Sequence, residues 1–217
     1  MKSPIAVEDA IAPIHDGASV MIGGFMGVGT PLRLVDEIVR QQKRGLTIIG
    51  NDTARPGHAI GKLIDADCVT KVITSHIGTN PVTQKKMIAG EIEVELVPQG
   101  TLAERIRAAG FGLGGVLTPT GLGTLADAGK PTLQLDGKTF LVERPLAADF
   151  ALIHAHRADY NGNLDFTLTA RNFNPLMAMA AKTVIVEPQF FVPLGVLPPD
   201  AVAVPGLLVD YLVRRAA

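Results

Sequence analysis

Between residues 19 and 110 the sequence alternates short apolar runs with longer amphipathic stretches, and this alternation constrains the fold more than any other feature. SVMIG (19–23) is followed by PLRLVDEIVRQQKR (31–44), which stops at Gly45, and then by LTIIG (46–50). An apolar run, a helically spaced stretch and a second apolar run make the crossover that adjacent parallel strands require. The order repeats: HAIGKLIDA precedes VTKVITS, PVTQKKMIAG precedes IEVELV, and TLAERIRAAG follows it. Runs this apolar mark strands covered on both faces. The reading is an α/β fold with an open, mostly parallel sheet flanked by helices. Ser3-Pro4 has the form of a helix start, a capping hydroxyl followed by a first-turn proline, and predicts a helix ending near Asp16-Gly17.

Beyond Gly110 the pattern changes. FGLGGVLTPTGLGT (111–124) is too rich in glycine and proline for regular structure and reads as a loop able to close over a ligand. LQL-DG-KTFLVE (133–143) reads as a β-hairpin, because Asp136-Gly137 suits the positive φ angles of a primed two-residue turn. A strand DFALIHA, a loop around Asn161-Gly162-Asn163, a short helix near NPLMAMAAK and a strand TVIVE complete the pass.

The 217 residues fit one domain spanning 1–217. With 20 basic and 21 acidic residues the net charge is −1, so the chain has no overall positive field to hold a phosphate backbone, and nucleic acid is excluded as a partner. Charged residues make up only 19% against 47% hydrophobic, a balance that points to an oligomer. Cys68, the single cysteine, reads as a small buried hydrophobe. Glu8 and Asp9 fall where a signal peptide would need an apolar core, and no run approaches about 18 apolar residues. A cytoplasmic protein without a membrane segment is expected.

Gly23, Gly24, Gly27 and Gly29 lie between the first strand and a helix opened by Pro31, so bare amides and the positive helix end are expected to converge as an anion site. Two common phosphate motifs fail here. A nucleoside-triphosphate loop needs lysine after Gly29, where Thr30 stands. The dinucleotide fingerprint read from Gly27 needs glycine or alanine at Leu32, although Asp52 is well spaced for a ribose contact.

What the turn does resemble is the α subunit of family I coenzyme A-transferases: Asp16-Gly17, the apolar Val20-Met21-Ile22, then Gly23-Gly24-Phe25, Gly29 and Pro31. The similarity continues through Asn51-Asp52-Thr53, SHIGTNP (75–81), VPQGTLAERIR (97–107), LTPTGLGT (117–124), ERPLAADFALIHAHRAD (143–159), GNL (162–164) and ARNFNP (170–175), nearly the whole chain. NDTA and SHIGTNP are most similar to the acetate, butyrate and acetoacetate branch, with the succinyl-CoA:3-oxoacid and 3-oxoadipate branches as alternatives. The resemblance implies the CoA-transferase (NagB/RpiA-like) fold. It also implies a β subunit in an α2β2 or α4β4 assembly, coenzyme A or acyl-CoA as substrate rather than bound cofactor, and no metal.

The family's nucleophile is a β-subunit glutamate that forms a mixed anhydride and then a glutamyl-CoA thioester. This chain is therefore expected to carry no catalytic nucleophile. Glu143, the best internal imitator, reads as a structural ion pair with Arg144 beside it. The α chain is expected to supply a wall for the oxyanion. Gln99, at the carboxyl edge after IEVELV, and Asn51, after LTIIG, are similar in position to the family's substrate-facing amides, and Ser75 and His76 end another strand beside the acyl pocket. Gly23, Gly24, Phe25, Met26, Gly27, Val28 and Gly29 are the expected coenzyme contact. His154, His156 and Asp159 read as structural rather than metal-binding, and Arg171-Asn172 as an intersubunit anchor. Two other classes stay open from the residues alone: a nicotinamide-dependent dehydrogenase domain and a non-catalytic acyl-CoA-binding module.

Overall fold

The computed structural model describes residues 1–215. After the short helix α1 (Val7–Ile11), the first half of the chain alternates β1 (Ser19–Ile22), α2 (Leu32–Arg40), β2 (Leu46–Asp52), α3 (Gly61–Asp65), β3 (Val69–His76), α4 (Pro81–Ile88), β4 (Glu93–Leu96) and α5 (Gln99–Gly110). Three short strands follow, β5 (Val116–Thr118), β6 (Thr132–Leu135) and β7 (Lys138–Glu143). The chain then returns with β8 (Ala148–Asp159), β9 (Leu164–Asp165), α6 (Asn174–Ala180), β10 (Ala181–Val192) and β11 (Tyr211–Leu212).

The main sheet has the order β11-β10-β8-β1-β2-β3-β4, parallel throughout, with β9 added antiparallel to β8. The chain leaves β1 toward β2 and comes back on its other side as β8. The order therefore reverses between β1 and β8, and open α/β sheets bind ligands outside the carboxyl ends of strands at such a reversal. Successive side chains enter different cores. Val20, Ile22, Ile48 and Leu152 join α1, α2 and α3 on one face, while Met21, Ile49 and Ile153 join α5 and α6 on the other. Each such side chain, fully buried, contributes about 1.5–3 kcal/mol, so the central strands have two independent reasons to hold their register.

Three expectations need correction or refinement. Ser3-Pro4 does not cap a helix: α1 starts later, from Ala6, without a side-chain cap. The Ile5 N–H donates to Leu212 O (2.9 Å) and the Arg214 N–H to Ile5 O (2.8 Å), so pairing with the far end of the chain draws these residues out straight. The glycine-rich segment after Gly110 is partly regular, because Val116–Thr118 pairs antiparallel with Leu141–Glu143. The hairpin forms around Asp136 (φ 50°) and Gly137 (φ 72°), but as two strands of a three-stranded sheet in the order β5-β7-β6.

Candidate active site

Parallel strands bring their carboxyl ends to one edge, and there the ends of β2 and β3, the first turn of α5 and the loop after β1 surround a cleft of about 430 Å³. Asn51 and Asp52 come from β2, Ser75 and His76 from β3, and Gln99 is the first residue of α5. Phe25 and Met26 close the side nearest β1, and Thr79, which the sequence reading passed over, completes the lining.

Side-chain amides organise this cleft. Gln99 Nε2 donates to Asn51 Oδ1 (2.6 Å), and Ser75 Oγ donates to Asn51 Oδ1 (3.1 Å) and Asn51 O (2.8 Å). Asn51 is 2% exposed, whereas Gln99 and His76 are open to solvent. The pair thus joins a fixed, buried acceptor to an accessible donor. A primary amide nitrogen carries two hydrogens, so Gln99 keeps one N–H for a ligand in the cleft. Thr79 Oγ1 donates to Ala54 O (2.9 Å) and fastens the β3–α4 loop to the β2 end.

The glycine segment forms a tight reverse turn. Phe25 and Val28 exchange backbone hydrogen bonds (3.0 and 2.9 Å) across Met26 (φ 52°) and Gly27 (φ 90°), the geometry of a primed two-residue turn. Its amides are largely occupied from within. Gly23 N–H donates to Leu152 O, Gly24 N–H to Asn172 Oδ1 and Met26 N–H to Asp52 Oδ2. Among the described residues, those of Gly27 and Gly29 have no acceptor. Asn172 Nδ2 also donates to Val28 O (3.0 Å) and Asn174 Nδ2 to Gly29 O (3.0 Å), so two asparagines staple the turn from the far side. Both sit in the ARNFNP segment, where the sequence reads Arg171-Asn172 as an intersubunit anchor, and within this chain Asn172 holds the turn.

The start of α2 does not wait for an external anion, and that expectation is corrected. Glu187, buried on β10, accepts from the Arg33 and Leu34 N–H groups (3.0 and 3.2 Å). Burial pushes its carboxyl above the usual range, against the two amides that pull it down. Asp52 is likewise not available as a ribose acceptor, because its oxygens take the N–H groups of Met26 and Ala54 and the Asn51 side-chain amide. Without that acceptor the dehydrogenase reading loses its main support.

The remaining candidates lie away from the cleft. Glu143 is buried and ion-paired with Lys130 (2.6 Å) and, more distantly, Arg105 (4.0 Å), so its partners are these and not the adjacent Arg144. Asp159 accepts from Asn161 N, Asn163 N and Asn163 Nδ2, which shapes the β8–β9 turn. Burial, and secondarily His156, pushes the His154 imidazole down toward its neutral form, while His156 Nδ1 meets Gln189 Oε1 (3.1 Å). Among the described residues no group of three or more His, Cys, Asp or Glu side chains converges on a metal position, and no helix is long and apolar enough to cross a membrane. Cys68 is buried, and burial pushes its thiol up.

The cleft therefore offers an accessible amide donor backed by a buried acceptor network, beside a reverse turn that ends the first strand. The Coenzyme A transferase family profile matches residues 5–215. The chain is 55% identical over 214 residues to the acetate CoA-transferase subunit alpha of Escherichia coli K12, covering 98% of this chain and 97% of that protein. It is 52% identical to the acetoacetyl-CoA:acetate/butyrate CoA transferase alpha subunit of Clostridium acetobutylicum, covering 98% of each. The fold matches an acyl-CoA transferase of Escherichia coli O157:H7 solved as a thioester complex with CoA, at a TM-score of 0.87 and 23% identity; the match covers 98% of this chain and 47% of that one, about half its length. A profile spanning nearly every described residue and relatives matched end to end place the chain in the coenzyme A transferase family.

Proposed function

We propose that this chain is the α subunit of a heteromeric CoA-transferase. It would move coenzyme A between a short-chain acyl-CoA and a short-chain carboxylic or 3-oxo acid, in the acetate, butyrate and acetoacetate branch. The observation that carries the reading is the Gln99–Asn51 amide pair at a cleft whose one lining carboxylate, Asp52, is turned inward and fully engaged. Such a wall suits an oxyanion and lacks an attacking group. In this reading a glutamate of the β subunit attacks the thioester carbonyl, the carbonyl oxygen becomes the oxyanion, and the Gln99 N–H donates to it. Collapse expels the CoA thiolate and leaves a mixed anhydride. The thiolate then attacks the glutamyl carbonyl, releasing the first acid and forming the glutamyl-CoA thioester, which the second acid resolves by the reverse steps.

Ser75 and His76 border the acyl group, and coenzyme A lies along the turn 23–29, where Phe25 and Val28 stay exposed at 46% and 51%. We further read the chain as one domain of a cytoplasmic α2β2 or α4β4 enzyme. The test is reconstitution with and without β, supplying acetyl-CoA and butyrate, followed by mass spectrometry of both chains. The expected result is exchange only with both chains present and a CoA mass increment on β. A CoA adduct on this chain, or turnover by it alone, overturns the proposal.

A further inference from the structure

We infer that Asp52 is a positioning residue of the transfer reaction: it fixes which way the Asn51 amide faces and thereby which atom of Gln99 is presented to the cleft. The inference rests on the function proposed above for this cleft. A carboxylate can only accept hydrogen bonds, whereas a primary amide has one accepting and one donating end. Asp52 Oδ2 receives Asn51 Nδ2 at 2.9 Å, so the donating end of Asn51 is committed to the acid. The accepting end, Oδ1, must then face the other way, where it receives Gln99 Nε2 at 2.6 Å and Ser75 Oγ at 3.1 Å. Gln99 is in turn oriented by that acceptor: its nitrogen, with a second N–H, stands beside Asn51, and its oxygen points elsewhere. The chain of dictated orientations begins at Asp52.

Asp52 is itself held too firmly to yield. Oδ2 also takes the Met26 N–H (2.8 Å) and Oδ1 takes the Ala54 N–H (2.8 Å), and the residue is 5% exposed. Both of those donors belong to residues with positive φ, Met26 at 52° and Ala54 at 52°. One carboxylate thus secures two uncommon backbone bends at the edge of the cleft as well as the amide relay. A neutral amide at this position must set its NH2 group either against the Ala54 N–H or against the Met26 N–H, and in the second orientation Asn51 loses its acceptor and turns over. If Asn51 turned, its NH2 would face Gln99 Nε2, and Gln99 would have to present its oxygen to Asn51. The orientation that offers an N–H to a developing oxyanion would no longer be selected.

The test is a double-mutant cycle on the enzyme reconstituted with its β subunit, using the isosteric Asp52→Asn and Gln99→Ala, with assembly and thermal unfolding of each variant measured alongside. If Asp52 acts through Gln99, D52N lowers kcat by about tenfold to a hundredfold with KM for acyl-CoA changed less than about threefold. In the Q99A background the same substitution then changes kcat less than about threefold. Equal fold-losses in the two backgrounds, or no loss in either, overturn the inference. Should D52N fail to assemble, Gln99→Glu with native Asp52 gives a second reading. Asn51 held with its oxygen outward confronts the introduced carboxyl with an acceptor, so that carboxyl titrates above the ordinary glutamate range by carbon-13 NMR. Titration at or below that range means that Asn51 turns freely and sinks the idea. This titration does not require turnover, so an inactive native complex would reject the proposed function while leaving the Asp52 relay to be judged by NMR.

Discussion

Gly23 has no room for a methyl group. A Cβ there would fall 1.9 Å from Asn174 Oδ1, the atom that accepts the His154 N–H, on a fully buried side chain whose Nδ2 holds Gly29 O and Ala170 O. Gly23→Ala must therefore displace an amide that joins β8, the turn and the segment before α6, and is expected to cost about 2–4 kcal/mol in urea unfolding. Gly57→Ala is the informative contrast. Its φ of +70° strains any side chain, but nothing lies within 4 Å of the added carbon, so the expected cost is only about 1–2 kcal/mol. Equal losses at the two sites would mean that Asn174 is not an anchor. Gln99 differs in kind from both, because it is exposed and its side chain makes one hydrogen bond among the described residues. Gln99→Ala should leave unfolding nearly unchanged while lowering kcat of the assembled enzyme by about 10²–10³, the usual loss for one oxyanion donor. An unchanged turnover number would remove Gln99 from the chemistry.

At the scale of elements, the central strands β1, β2 and β8 were legible because burial on both faces makes them apolar, whereas the edge strand β4, read from IEVELV as equally covered, has no fully buried side chain. Asn51, Ser75 and Gln99 were legible because parallel strands deliver their ends to one edge. What local sequence could not disclose were contacts between distant segments. Ser3-Pro4 carries a sound capping signal, yet pairing of Ile5 with Leu212 and Arg214 overrides it. The four glycines announce a turn, but nothing local tells that Asn172, Asn174 and Asp52 already consume or crowd most of its backbone groups. Helix α2 is the clearest case, since its N-terminus has no side-chain cap of its own and takes one from β10. Glu187→Ala should leave the Arg33 and Leu34 amides without their acceptor and destabilise the chain by about 1–3 kcal/mol, and Glu187→Gln, which keeps one oxygen, by less. Chemical denaturation of both variants checks the order. A tolerated alanine would show that solvent satisfies this helix end as well as the glutamate does.

Across the whole molecule, the two halves of the sheet meet at the pairing of β1 with β8, and an ionic clamp lies at the amino end of that pairing, on the sheet edge opposite the one that carries the cleft. Asp149 Oδ2 accepts from Ser19 Oγ (2.6 Å) and Ser19 N (3.1 Å), and Ser19 Oγ accepts in return from Asp149 N (2.9 Å). The Ser19 hydroxyl, helped by Lys182 of β10 and the Ser19 amide, holds the Asp149 carboxyl well below the usual carboxylate range. Lys182 is 81% exposed and its ion pair adds little, so the clamp depends chiefly on Ser19. A carboxyl held low in the fold binds fewer protons there than in the unfolded chain. Its stabilisation is complete above the ordinary aspartate range, near about pH 4, and is lost as the pH falls through the lower folded-state value. Asp149→Asn should therefore be less stable than the native chain at neutral pH, by about 1.5–3 kcal/mol if the bonds to the charged group behave typically. It should also lose less on acidification, so that the two urea-unfolding curves converge between about pH 5 and pH 2. Curves that stay parallel over this range would mean that the seam is held by its apolar register alone, with Val20, Met21 and Ile22 against Phe150, Ala151 and Leu152.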